Sequence, residues 1–272
     1  MFFAALFSFP LLALLAHRDQ ADGSLWPRRP GWVFLRAATS VISTVAAFYA
    51  FGSLPLAQTY AILFAIPLII TLLSILVLGE QVTPLRWLAL LTGFAGVLVM
   101  VRPGSDLFTW ATFLPLVSGL CYGGAMVLAR RMGNSFTAAA MAFHSNLIFL
   151  VNAALLSLIF GTGQFTNESQ ASLGFLTRGW TMPALPDLLG MMACGGIAAI
   201  GLTLLTQAYR IAQASIVAPF EYTGLIWSVL YGWIFWRDWP DATGWTGIAI
   251  IVGAGLLVLY GDKTRPPAKA TP

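Results

Sequence analysis

The sequence predicts an all-α polytopic membrane protein, and three observations carry that expectation. The 272-residue chain is 58% hydrophobic and only 9% charged, against roughly 25% charged in an ordinary soluble domain. Apolar runs long enough to cross about 30 Å of hydrocarbon recur from one end to the other. Most of these runs lack the polar stripe at helical spacing that a soluble amphipathic helix carries.

Nine spans are predicted, at 1–16, 32–52, 57–78, 84–101, 109–129, 138–160, 187–209, 214–236 and 242–260. The first is short for a crossing. It also lacks the basic start of a signal peptide, and His17, Arg18 and Asp19 follow it in place of a small-residue cleavage site. The second follows a polar, Arg-rich connection at 17–31. Turn chemistry marks the next boundaries, with Leu54-Pro55 before the third span and Thr83-Pro84 at the fourth. Arg102-Pro103-Gly104 separates the fourth from the fifth. A polar segment at 161–186 precedes the seventh, and short breaks divide the last three.

The net charge of +4 is read from where the basic residues fall, not as a nucleic-acid signal. One side of the membrane receives Arg18, Arg28, Arg29, Arg36, Arg86, Arg130, Arg131, Arg210, Lys263, Arg265 and Lys269, and the other only Arg102, Arg178 and Arg237. Eleven against three places the C-terminus in the cytoplasm. Nine crossings then put Met1 outside, and a further helix upstream would bring it back in. Cys121 and Cys194 fall inside apolar runs, where a buried free thiol is the ordinary reading. No metal-ligand spacing and no cofactor motif is present.

An internal repeat organises the chain. Residues 49–101 echo residues 208–260 at an offset of 157–159. Each copy starts with a polar break, Ser53-Leu54-Pro55 or Arg210-Ile211-Ala212-Gln213. Each continues with a Pro-containing span (Pro67, Pro219) and a charged turn, Gly79-Glu80-Gln81 or Arg237-Asp238. Each closes on a Gly-rich span, with Gly93 and Gly96 or Gly253 and Gly255. Five crossings separate equivalent points, and an odd number makes the copies inverted, a common transporter design with its site at the repeat interface.

Glu221 is the sharpest candidate residue. An ionisable group near the middle of a span costs about 2.5–3.5 kcal/mol on insertion scales, so a span that keeps one has a use for it. Pairing with a solute ammonium and carrying a proton are two such uses; a hydrogen bond to a neighbouring helix is the structural alternative. Tyr222 adjoins it. Gln58 and Tyr60 hold the matching position in the first copy, and Tyr49, Tyr122, His144 and Gln207 are further polar tips within spans. For the tyrosines and glutamines, cavity lining competes with a plain helix–helix hydrogen bond or an interfacial position; for His144, near the cytoplasmic end, a proton relay competes with simple solvation. Pro67 and Pro219 remove backbone donors and serve as hinges or as static bends. Glu80, in a short turn, reads as a salt-bridge or capping residue.

The blocks LPLAQTYAILFAIPLIITLLSILVLGE and RWLALLTGFAGVLVMVRPG, with APFEYTGLIWSVLYGWIFWRDWPD as their second copy, resemble the EamA-type branch of the drug/metabolite transporter superfamily. The resemblance covers nearly the whole chain. It implies ten helices in two inverted five-helix repeats with a cavity between them. In those terms 1–103 is the first EamA repeat without its first helix, 109–260 the second, and 261–272 a cytoplasmic tail. Arg237-Asp238 departs from the Gly-Glu or Gly-Asp more usual in the second copy.

What the resemblance implies is a secondary transporter of the bacterial inner (plasma) membrane. It would move a small organic metabolite by alternating access, driven by solute exchange or by proton coupling, with lipid and solute as its partners and no nucleic acid. It would act as a monomer or homodimer. The aromatic spans and Glu221 suit an amino-acid-like, partly aromatic or cationic solute. Import of a vitamin or nucleoside-type solute such as riboflavin or S-adenosylmethionine is the alternative, and a non-transporting scaffold or inactive truncated form is the alternative of another class. An intramembrane enzyme would need a nucleophile–base pair or metal cluster, and with two His in all and neither HExxH nor GxSxG the chain offers no catalytic set.

Overall fold

A computed structural model describes residues 2–19, 30–54, 62–101, 113–133, 136–162, 182–224 and 241–263, together with 59, 179, 227, 230, 233, 234 and 237. The described elements are helical. In chain order they are α1 (Phe2–Asp19), α2 (Pro30–Ser53), α3 (Ile66–Leu73, widening into a π turn at Ser74–Leu78), α4 (Pro84–Val101), α5 (Phe113–Met132), α6 (Ala138–Phe160), α7 (Leu185–Ile211), α8 (Ala214–Val217, followed by a 3-10 turn at Ala218–Tyr222) and α9 (Ala242–Lys263). Gly79, at φ +67°, ends the α3 segment in the left-handed conformation glycine adopts without cost. Thr137 opens α6 by accepting a hydrogen bond from the Ala140 amide at 3.2 Å.

Three sequence expectations change. The first span runs to Asp19, and its 18 residues reach about 27 Å at 1.5 Å per residue, close to the hydrocarbon thickness. The spans expected at 57–78 and 214–236 are not continuous α-helices. The first carries a turn at Phe64-Ala65 before α3, and the second changes to a 3-10 turn at Ala218. Cys194 is exposed and Cys121 half-buried, because a thiol on the outward side of a span meets lipid instead of the bundle.

The chain forms two compact units that alternate along the sequence. The first comprises Met1–Pro55 and Thr109–Ala212, the second Leu56–Phe108 and Gln213–Pro272. Each unit therefore draws helices from both halves of the chain. Among the described residues, all five helices long and apolar enough to cross a membrane lie in the first unit. Their apolar side chains point outward as well as inward, with Ile197 72% and Leu158 78% exposed, as a lipid-facing surface requires. In the second unit α4 and α9, of 18 and 22 residues, are continuous, while the segments around α3 and α8 are short and broken.

In the first unit α1 packs on α6 and α7, and α2 on α5 and α6. Small residues permit the closest approach. A Cβ at Gly195 of α7 would lie 2.5 Å from the Ala4 carbonyl oxygen of α1. Asn146 of α6 donates to the Ala5 carbonyl at 3.0 Å and accepts from Ser8 at 2.9 Å, tying α6 to α1. Arginines close one end of this unit. Arg130 donates to the Arg210 carbonyl at 2.9 Å, Arg210 donates to the Gly133 carbonyl at 2.8 Å, and Arg131 stacks on Trp32 at 5.0 Å. Cations at the carbonyl ends of α5 and α7 complement the helix dipoles.

In the second unit α4 packs along α9, where a Cβ at Gly96 would meet Ile251 at 2.9 Å and the Gly247 carbonyl at 3.0 Å. Gly253 and Gly255 of α9 have open space before them. Gly96 therefore brings α4 close to α9 near Gly247, and Gly253 and Gly255 take no part in that contact.

Candidate functional site

The second unit brings the two interrupted segments together. Pro219 sits in the first turn of the 3-10 segment and Pro67 in the first turn of α3. Neither bends a continuous helix. A first-turn residue has no intrahelical acceptor for its N–H, so Pro67 is accommodated there at little cost, whereas Pro219 follows α8 directly and withholds the amide that would continue the helical pattern to the Ser215 carbonyl. At the repeat offset, the turn at 64–65 corresponds to 222–223, beside the 3-10 turn, and α3 packs directly on Ala218–Tyr222. Irregular backbone at membrane depth persists only where it is buried in protein or lines a water-filled cavity. In transporters built from inverted repeats, paired interruptions at matching positions are a pointer to the binding site, which makes this region the candidate.

Glu221 lies in this turn, half-buried. Tyr222, beside it, is only 1% exposed and packs with Leu90, Val97 and Ile251, with Phe64, Leu68 and Phe94 around them. Its hydroxyl donates to the Leu90 carbonyl at 3.4 Å. A Cβ at Gly93 would come within 2.6 Å of its ring, so Gly93 is what admits the tyrosine between α4 and the turn. Tyr222 thus seats the backbone that carries Glu221. Gln58 and Tyr60 lie outside the described residues. Glu80 caps α8, accepting from the Ala214 and Ser215 amides at 3.1 and 3.2 Å.

The first unit holds the other polar candidates. Tyr49 on α2, Tyr122 on α5, His144 on α6 and Gln207 on α7 are all half-buried. The Nδ1 of His144 lies 2.6 Å from the Ala140 carbonyl oxygen. A carbonyl only accepts, so Nδ1 carries the proton and Nε2 is left for another partner. Gln207 accepts from Arg210 at 3.2 Å. Glu221 and Tyr222 are in the second unit and these four are in the first.

The residue that sequence reasoning missed is Arg36. It was counted among the charges at the membrane edge, yet it lies inside α2, 1% exposed. One Nη donates to the Met141 carbonyl at 3.0 Å and to Ser145 at 2.7 Å, and the other donates to Thr206 at 3.1 Å. Its Nε has no hydrogen-bond partner among the described residues. The signal was available: Arg36 falls within the apolar run 32–52, and the rule that singled out Glu221 applies to it equally.

The profile of the EamA-like transporter family matches residues 1–102 and 109–260. The chain belongs to the EamA-like transporter family. It is similar to the riboflavin transporter of Rhizobium johnstonii, at 30% identity over 97% of this chain and 80% of that protein. The S-adenosylmethionine uptake transporter of Rickettsia prowazekii is 23% identical over 79% of this chain and 67% of its own. The pseudopaline exporter CntI of Pseudomonas aeruginosa is 27% identical over 93% and 83%. One solved crystal structure superposes with a TM-score of 0.75 over 98% of this chain and 89% of its own, at 18% identity, a likeness of fold alone. An EamA-type chain with these helices is a multi-pass membrane transporter of the drug/metabolite superfamily and not an enzyme.

Proposed function

We propose that this EamA protein is a secondary transporter that carries a heteroaromatic metabolite of the riboflavin class by alternating access. The observation that supports transport at this site is the pairing of two interrupted, repeat-related segments around Glu221 in the second unit. The solute class is favoured by three riboflavin transporters, at 29–30% identity over 84–97% of the chain. A second reading, a cationic, amino-acid-bearing solute such as S-adenosylmethionine, is favoured by the carboxylate of Glu221 and by the Rickettsia relatives. The same proposal sets the chain in a bacterial inner membrane with its C-terminus cytoplasmic, on the strength of the arginine asymmetry. It also gives Glu221 the coupling proton, in a monomer or homodimer.

Proteoliposomes loaded with buffer and presented with radiolabelled riboflavin, S-adenosylmethionine or a neutral amino acid test the proposal. Saturable riboflavin uptake above protein-free vesicles is the expected result. Saturable uptake of S-adenosylmethionine alone selects the second reading. No uptake of any solute, inward or outward, supports a scaffold and overturns both.

A further inference from the structure

Arg36 is a buried cation held entirely by neutral oxygens. Among the described residues its partners are one carbonyl and two hydroxyls, on two different helices, and none is a carboxylate. From α2 it therefore fastens both α6 and α7 inside the first unit. A lysine carries its three donors on one nitrogen and lacks the planar fork that sends one Nη to α6 and the other to α7.

The positions of those acceptors matter. Ser145 is the neighbour of His144 on α6, and Thr206 is the neighbour of Gln207 on α7. Adjacent residues on an α-helix are set about 100° apart, so fixing the bearing of one fixes that of the next. The imidazole of His144 is already anchored by Nδ1 to its own helix at the Ala140 carbonyl, so its remaining nitrogen points wherever α6 is turned. The amide of Gln207 is likewise referred to α7 through Arg210. One side chain thus sets the rotation of the two helices that carry two candidate solute-binding groups.

We propose that Arg36 is a positioning residue for transport: through Ser145 and Thr206 it sets the bearing of His144 and Gln207, two candidate solute-binding groups of the first unit. The proposal rests on the transport reading above, and one arm of its test does not need a known solute. In proteoliposomes, Arg36→Lys is expected to raise the KM of the transported solute about fivefold with Vmax per folded protein nearly unchanged, a size typical of groups joined in one hydrogen-bond network. Ser145→Ala and Thr206→Val, which keep the charge and remove one acceptor each, should each raise KM about twofold.

The second arm places His144→Cys or Gln207→Cys in a Cys121→Ala, Cys194→Ala background and follows alkylation by a soluble maleimide. Arg36→Lys should change the rate at each position by about threefold or more. Thr223→Cys, in the second unit, should label at the same rate with or without it, and Arg86→Lys should leave positions 144 and 207 unmoved. Labelling rates at 144 and 207 that ignore Arg36→Lys overturn the proposal, as does a loss of folded protein with KM unchanged. If the wild type carries no solute, the transport reading fails while the labelling arm still decides whether Arg36 aims these residues.

Discussion

Two arginines counted alike in the charge tally turn out to be opposites. Arg86, in the first turn of α4, is 5% exposed and donates to Gln213 at 2.8 Å and to Ser215 at 3.3 Å. Ser215 in turn donates to Glu80 at 3.1 Å, so a cation and an anion meet through one hydroxyl. Arg36, deeper in its helix, is still more buried, and among the described residues its hydrogen bonds all go to neutral oxygens. A buried charge is tolerable when paired or fully hydrogen-bonded. Arg86 meets that condition with opposite charge at a junction of turn and helix. Arg36 approaches it with dipoles alone, its Nε left without a partner among the described residues, and an ionisable residue kept in a span on those terms is a candidate for a functional role.

The comparison can be broken by stability measurements on purified protein, from the largest effect to the smallest. Arg36→Lys is expected to cost about 3 kcal/mol, since two charge-assisted hydrogen bonds are lost at roughly 1.5 kcal/mol each. Thermal unfolding followed by tryptophan fluorescence would show it. Arg86→Lys should cost about half as much, roughly 1.5 kcal/mol, because an ammonium there can still reach the Ser215 hydroxyl and its carboxylate partner. Equal costs for the two lysine variants would erase the distinction.

Glu80→Ala should cost about 1 kcal/mol, the usual penalty for losing a helix cap. It should also make Arg86→Lys more costly when the two are combined, which a double-mutant cycle reads directly. Thr206→Val is expected to be mildest, about 0.5 kcal/mol, because its valine keeps the shape and Arg36 keeps its bonds to α6.

Much of the fold was legible because hydrophobic runs and turn residues are local signals. Seven of the helices follow the expected spans to within a few residues, and the repeat pointed to the two Pro-containing segments, interrupted in the structure, that pack together. What was not legible depended on helix rotation and distant partners. Gly93 and Gly96 face neighbours while Gly253 and Gly255 face open space, although all four sit in equivalent motifs. Tyr222 reads as a cavity residue until Gly93, far away in sequence, is seen to receive its ring. Arg36 was hidden by its place near the end of an apolar run, where one more arginine looks like another cytoplasmic anchor. Its acceptors on α6 and α7 lie more than a hundred residues away.

The most direct measurement compares wild type with Glu221→Gln in proteoliposomes under an imposed pH gradient, with labelled riboflavin and then S-adenosylmethionine. If Glu221 carries the coupling proton, wild type concentrates the solute and the variant only exchanges it down its gradient. Equal, gradient-driven accumulation by both proteins would contradict the account and leave Glu221 a structural residue of the turn.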